Sequence, residues 1–447
     1  MRRSKHNWLG WFLFGLGSQL QLLGVSLSFS ELFVFAVTPF LALQEYPHIR
    51  RDGLAAFFWL AILLDVWCVL SGYVNHTPFP LLIRGLAVTS LFPCVIVVGH
   101  WMLRRNMYGL RWYFIGTAIS ATLCLFVFRQ SVEVSMLAGG VQDKNTTEMI
   151  MGGPLFWIRR LFPFLSIPNK GWYLECPLAY SVFAPLFMAG FALLTTTSGR
   201  SASLGAAGAA LLVLWGGKRE RTMKRVSRNF WVFVLLGAFG VVLFKEGYSF
   251  AASHDFLGEE ARTKYELQTR GGTSIGKLIL GGRGDSLGGL LACVDRPIIG
   301  YGPWAEDKWG YNMEFLRRFG EPEDYDDYVR MQSVKERDGR YPLFMGHSYI
   351  TQFWLWYGMF GLLIWLYVLF VLVRYLKQDC WAVPQWYMWL AAGVPAYCWA
   401  VFFSPFGGDR IMNIMFVVAC LLARAVRKGR MMLPFDMQME ILKAESR

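Results

Sequence analysis

Long apolar runs separated by short basic clusters make up most of this chain, and no other feature limits its fold as strongly. The runs are Trp8 to Gly24, Ser26 to Leu43, Leu54 to Tyr73, Pro80 to Leu103, Trp112 to Phe128, Pro177 to Thr197, Ser201 to Gly217, Phe230 to Phe244, Tyr349 to Tyr375, Val383 to Phe403 and Ile411 to Val426. Most are about 17 to 25 residues long, enough for an α-helix to cross roughly 30 Å of hydrocarbon. Across 447 residues, 55% are hydrophobic and only 17% charged, which excludes an ordinary water-soluble globule, a disordered chain and a collagen-like one. The chain reads as an all-α polytopic membrane protein.

The formal net charge is +13. In a soluble protein that would suggest nucleic acid, but here Lys and Arg sit between apolar runs, as the positive-inside rule requires, so no nucleic-acid partner is expected and the lipid bilayer is. Arg2-Arg3, Arg50-Arg51, Arg104-Arg105 with Arg111, Lys218 through Arg228, Arg374 with Lys377, and Arg424 through Arg430 all read as cytoplasmic. The terminus Met-Arg-Arg-Ser-Lys-His resembles a signal n-region, but no small-residue cleavage site follows, so the first run reads as a retained span.

An even number of crossings must join any two cytoplasmic clusters, and only the interval from Arg111 to Lys218 fails this count. A further span over Gly152 to Pro168 repairs it and gives about twelve helices. Merging Pro177 to Gly217 into one broken crossing gives about ten, with Arg200 at membrane depth. The domain order expected is N-terminal transmembrane helices over 1–247, one large extracytoplasmic loop over 248–348, C-terminal transmembrane helices over 349–430 and a cytoplasmic tail over 431–447. A loop of that length exceeds ordinary connections and points to function. It carries Gly-rich turns and a short helix expected from Asp285 to Val294.

The eight cysteines stand singly, mostly in apolar runs, without CxxC spacing, and read as small buried hydrophobes. No second histidine stands at ligand spacing from another, so no metal site is expected. Nucleotide-binding glycine motifs are also missing.

Candidate chemistry gathers where the outer loop re-enters the membrane. His347, one of six histidines, lies in Gly346-His347-Ser348-Tyr349-Ile350-Thr351-Gln352. A histidine at that boundary can withdraw a proton from a bound hydroxyl, or it can simply cap the helix. Arg200 interrupts a near-continuous apolar stretch, and so either snorkels at a helical turn or grips two phosphate oxygens with its planar donors. Arg283 follows a Gly-rich turn suited to an anion, or is a solvated loop arginine. Arg84, near the outer end of its span, and Arg410, next to Asp409, complete a set of outward cations that would focus field on a polyanion such as a pyrophosphate. The Asp324-Tyr325-Asp326 pair reads as part of an acidic, solvated loop face.

Together these residues resemble a known family. Pro297-Ile298-Ile299-Gly300-Tyr301-Gly302, followed by Gly346-His347-Ser348-Tyr349-Ile350-Thr351-Gln352 and by Gly358-Met359-Phe360-Gly361-Leu362, is similar to the signature of the O-antigen ligase and polymerase family. Thr197-Ser198-Gly199-Arg200-Ser201-Ala202 resembles its Thr-x-Ser-Arg-Gly-Ala element with serine and glycine exchanged, and Gly282-Arg283 resembles its second arginine element. The resemblance implies many transmembrane helices in the bacterial inner (cytoplasmic) membrane, one large periplasmic loop and an active site facing the periplasm. It also implies transfer of a glycan, with inversion and without a cofactor, from undecaprenyl (polyprenyl) pyrophosphate to a hydroxyl of an acceptor glycan or of the lipid A-core. Under it, His347 is the general base or an acceptor-orienting group, Arg200 and Arg283 hold the pyrophosphate, and Arg84 sits where family members place a basic residue; Arg410, Tyr349 and Gln352 join Arg84 as substrate-binding candidates. A transporter or flippase for lipid-linked polysaccharide, binding the same pyrophosphate without chemistry, is the alternative that the residues themselves leave open.

Overall fold

A computed structural model describes residues 7–18, 27–106, 109–127, 284–319, 348–379, 382–404 and 410–431, with single positions 20, 246, 249, 250, 254, 344 and 406. Every regular element among them is a helix: α1 (Asn7–Leu16), α2 (Phe29–Asp52), α3 (Ala55–Val74), α4 (Phe79–Arg105), α5 (Leu110–Val127), α6 (Gly284–Asp295), α7 (Tyr311–Phe319), α8 (Tyr349–Arg374), a π-helical turn (Tyr375–Asp379), α9 (Pro384–Phe403) and α10 (Arg410–Arg427). Three of these, α3, α4 and α8 with its π turn, are long and apolar enough to cross a membrane. The expected spans Gly152 to Pro168, Pro177 to Thr197, Ser201 to Gly217 and Phe230 to Phe244 lie outside the described residues, and with them the choice between twelve crossings and ten.

α2 outruns its apolar stretch. A capping box opens it: the Ser28 hydroxyl accepts the Glu31 N–H at 3.2 Å, and Glu31 Oε2 accepts the Ser28 N–H at 2.8 Å. The helix then runs past Leu43 through Glu45 to Asp52 and stops at Gly53, whose φ of 86° is the left-handed geometry of a glycine C-cap. The polar last turns persist because both buried carboxylates meet His100 of α4, Glu45 Oε2 at 3.1 Å from Nδ1 and Asp52 Oδ2 at 3.1 Å from Nε2. α1 is shorter than its run, ending near Gly17-Ser18, where the Ser18 hydroxyl donates to Gly15 O at 2.7 Å. It lies parallel to α5, with Trp8 against Trp112 at 4.9 Å and Ser18 bonded to Thr117 at 3.2 Å. The basic clusters before both helices lead to the expectation that they start on one side of the membrane, and a shared direction is what that expectation requires.

α4 is the central post, packed by α2, α3 and α10, while α8 packs against α3, α6, α9 and α10. The core between them is aromatic. Phe92, Phe353, Trp365 and Phe406 pack mutually, with centroids 5.2 to 5.9 Å apart and mostly edge to face, the geometry favoured by ring quadrupoles. Large apolar side chains such as Phe40, Leu43, Val66 and Phe370 point outward, as a hydrocarbon solvent allows.

The charges sort by end. Arg51 pairs with Asp52, Arg104 with Glu45, and Arg374 and Arg427 with Asp379. Arg430 reaches the α2–α3 turn, lying 3.3 Å from where a Cβ on Gly53 would stand. The opposite end of the bundle carries Glu31, Arg84, Tyr349 and Arg410.

Candidate functional site

At that opposite end α8 is broken, and the break is filled by the loop before it. Gly358 (φ 57°, ψ −144°) takes the chain out of helical geometry. The Leu355 and Trp356 carbonyls, released from the helix, accept the N–H groups of Tyr301 at 2.8 Å and Gly302 at 3.1 Å, and the Met359 N–H donates to Ile298 O at 3.1 Å. Three further donors hold the same turn: Ser71 Oγ bonds Trp356 O at 2.9 Å, Asn75 Nδ2 bonds Gly300 O at 3.1 Å, and Trp67 Nε1 bonds Ile298 O at 3.2 Å. Irregular backbone survives within a membrane protein only where protein supplies its partners, and here α3, α8 and the Pro297-Gly302 turn supply them reciprocally. The Gly-x-Gly of the sequence therefore has a backbone reason. Gly300 and Gly302 take φ of 74° and 85° where the turn lies against α8 and α3.

The loop leaves this junction along α4. Pro303 sits on Gly85, and the Arg84 guanidinium lies over the Trp304 ring, its Cζ 3.7 Å from the centroid. Among the described residues no carboxylate pairs with Arg84, and the nearby charge it senses is that of Arg410. Arg410, at the first position of α10, grips Glu31 with two nitrogens, Nε to Oε1 at 2.7 Å and Nη2 to Oε2 at 3.0 Å. That glutamate is the capping-box residue of α2, and Asp409, the neighbour of Arg410 in sequence, lies outside the described residues. Glu31 thus serves both its own helix start and the start of α10.

The first turn of α8 is fixed from three sides. Ser348 caps it, its hydroxyl accepting the Thr351 N–H at 3.2 Å and donating to Val401 O at 3.0 Å. Tyr349 is buried among Trp365, Tyr397 and Phe406, and its hydroxyl receives Asn413 Nδ2 at 3.3 Å. Gln352 Oε1 accepts the Phe406 N–H at 2.9 Å. Both candidates thereby tie the α9–α10 connection to the start of α8.

The loop helices pack onto the same turn. A Cβ on Gly289 of α6 would lie 3.2 Å from Thr351 Cγ2, and Cys293, a free and buried thiol, donates to Thr351 O at 3.7 Å. Asp307 caps α7, accepting the N–H groups of Tyr311 at 2.9 Å and Asn312 at 2.8 Å, and burial pushes its carboxyl up. Asp295, at the end of α6, accepts the hydroxyls of Tyr311 at 2.7 Å and Tyr301 at 3.0 Å, which hold its carboxyl below the usual range. Arg296 lies 5.0 Å from the ring centroids of both Tyr301 and Trp309 and donates to Asn75 Oδ1 at 3.0 Å.

Of the seven site candidates, the fold brings Arg84, Arg410, Tyr349 and Gln352 to one end of the bundle. His347, Arg200 and Arg283 lie outside the described residues, as does the Asp324-Tyr325-Asp326 pair. Sequence reasoning missed Glu31, although Ser28-x-x-Glu31 before an apolar run is a capping-box signal. It also missed Trp304 and Asn75, whose roles depend on contacts between distant parts of the chain. No family model, no curated protein and no solved structure matches the chain.

Proposed function

We propose that this chain is an inverting glycosyltransferase of the bacterial inner membrane. It moves a glycan from a polyprenyl-pyrophosphate carrier to an acceptor hydroxyl on the periplasmic side, as an O-antigen ligase or a polysaccharide polymerase. The observation that carries the reading is the junction at α8. The Pro297-Gly302 turn is locked into the helix break directly downstream of the histidine-bearing segment, and at the same end Arg84 stands on Trp304 without an acid partner among the described residues. Gly289 and Thr351, six residues after Arg283 and four after His347, are in contact, which supports bringing those two elements to one place.

In this reading His347 takes the proton of the acceptor hydroxyl as its oxygen attacks the anomeric carbon. The bond from that carbon to the pyrophosphate oxygen breaks, and the electron pair leaves on the phosphate. Arg200 and Arg283 neutralise the charge that grows there, which is where fixed cations lower a barrier most. Arg84 adds a third guanidinium. No nucleotide is needed, because a neutralised pyrophosphate is a competent leaving group.

The test is transfer of a labelled glycan from polyprenyl pyrophosphate to candidate acceptors by the purified protein in vesicles, with and without chelator. His347→Ala should abolish transfer while donor binding persists. Undiminished transfer by that variant would overturn the assignment.

A transporter of lipid-linked polysaccharide is the second reading, supported by one observation. Asp65, midway along α3, faces the Thr89 and Ser90 hydroxyls of α4, with Oδ1 buried and without a hydrogen-bond partner. Ionisable groups at such depth commonly mark transport pathways. Vesicle-to-vesicle flux that survives His347→Ala but not Asp65→Asn would favour it.

A further inference from the structure

Among the described residues, the arginine-rich end of the bundle holds more cations than its carboxylates can pair. Arg374 closes α8, Arg424 and Arg427 occupy the last turn of α10, and Lys428 and Arg430 follow in the turn beyond. One buried carboxylate, Asp379 of the π turn, faces them; Arg427 binds one of its oxygens and Arg374 Nε stands 4.0 Å from the other. These five cations less this one anion leave a surplus of +4, and Lys377 of the same π turn adds to it. The crowding has an electrostatic consequence at Lys428, which is fully exposed: Arg424 first, with Arg430, Arg374 and Arg427, pushes its ammonium below the usual lysine value.

An apolar track leads to the cluster. Leu366, Phe370 and Val373 of α8 are 46%, 55% and 44% exposed and stand at i, i+4 and i+7, one face of the helix ending beside Arg374. Arg424 reaches back toward the same helix, close enough to act on Tyr367. A cation cluster at a helix end above an exposed apolar stripe matches a molecule with an anionic head and hydrocarbon chains.

We infer that Arg374, Arg424, Lys428 and Arg430 form a site for the phosphate of an anionic phospholipid, whose acyl chains lie along Leu366, Phe370 and Val373. The site is at the opposite end of the bundle from Arg84 and Arg410, so it is separate from the proposed donor site and does not depend on it. Arg427 is left to Asp379, whose buried charge it neutralises.

The full chain is purified in zwitterionic detergent and exchanged into bilayer nanodiscs of phosphatidylcholine containing a small fraction of phosphatidylglycerol or cardiolipin. Retained lipid is then counted by native mass spectrometry. Wild-type protein should keep the anionic lipid in preference to phosphatidylcholine. The Arg424→Gln/Arg430→Gln variant, which leaves the Asp379 pairs intact, should lose that preference by about thirtyfold, the effect expected of two cations near a lipid surface. Lys428→Gln, at a fully exposed position, should lose a smaller part with unchanged thermal unfolding in phosphatidylcholine. Three results would each overturn the inference: equal retention of anionic and zwitterionic lipid by the wild type, retention by the double variant equal to wild type, or a thermal shift from inorganic phosphate as large as that from the anionic lipid. The last would make free phosphate the ligand.

Discussion

Gly300 and Gly358 meet across the break in α8: a Cβ on Gly300 would lie 2.6 Å from the Gly358 nitrogen, and a Cβ on Gly358 would lie 1.9 Å from Ile298 O. Both contacts are with backbone, which cannot swing aside as a long side chain can. Both residues also hold positive φ, 74° and 57°, which L side chains adopt at a cost. Gly358→Ala and Gly300→Ala should each destabilise the protein by at least about 3 kcal/mol, the strain of one such residue plus the displaced turn. Thermal unfolding in detergent measures this. Unchanged midpoints would mean that the turn and the helix break are not mechanically joined.

The two described arginines of the candidate site should separate under substitution. Arg410→Ala removes the partner of a Glu31 side chain only 4% exposed, and leaving a buried carboxylate unpaired costs about 3 to 5 kcal/mol. Any loss of activity in that variant should arrive with lost stability and expression. Among the described residues Arg84→Ala gives up only the stacking on Trp304, about 0.5 to 1 kcal/mol, so the protein should fold. If Arg84 holds donor phosphate, transfer by the folded variant should fall roughly tenfold to a hundredfold, the range of one charge-assisted hydrogen bond. A folded Arg84→Ala protein with wild-type transfer would remove Arg84 from the site.

The large loop should have a one-sided pH response. Asp295 is held below the usual carboxylate range by the Tyr311 and Tyr301 hydroxyls, so its bonds stabilise the loop wherever the unfolded carboxylate is ionised. That contribution is present above about pH 4 and is lost as pH falls through the depressed folded value. Amide exchange over 296–311 should therefore stay protected from neutral pH down to about 4 and open below it. In Tyr301→Phe/Tyr311→Phe protein the carboxylate loses both donors, so the loop should be less protected at neutral pH and the step below about pH 4 should shrink. An acid step of the same size in both proteins would show that these hydroxyls do not set the Asp295 charge.

Among the described residues, the apolar core of each long helix was legible in the sequence; its ends depended on partners. The run Leu54 to Tyr73 became α3 (Ala55–Val74), and Val383 to Phe403 became α9 (Pro384–Phe403), because hydropathy reports burial in lipid directly. The short helix expected from Asp285 to Val294 is α6 (Gly284–Asp295). α2 extends nine residues past its apolar run, since Glu45 and Asp52 are polar by composition and satisfied only by His100 of α4. α7 (Tyr311–Phe319) went unread because its start depends on the buried Asp307 cap. At the site, the Gly-x-Gly turn and the glycine after Gln352 stood out as motifs. Nothing local in either shows that one fills the gap made by the other, and the Glu31–Arg410 pair joins residues 379 positions apart.

His100, which sequence position gave no role, should be the strongest electrostatic tie at the arginine-rich end. Its two ring nitrogens each face a carboxylate oxygen at 3.1 Å, and all three side chains are 3% exposed or less. A neutral imidazole has one N–H and could serve only one of them, so the geometry fits an imidazolium donating to both. Arg104, 3.8 Å from Glu45, and Arg51, 2.9 Å from Asp52, offset the remaining negative charge from partly exposed positions. His100→Leu alone strands two buried carboxylates and should cost about 3 to 5 kcal/mol. The triple variant His100→Leu/Glu45→Leu/Asp52→Leu removes the stranded charges with the cation and should recover most of that loss, since apolar residues of similar volume often replace a buried ionic cluster without penalty. Thermal unfolding of the single and triple variants in one detergent decides the matter. If the triple variant is as unstable as His100→Leu, the tie between α2 and α4 rests on the shape of these side chains and not on their charge.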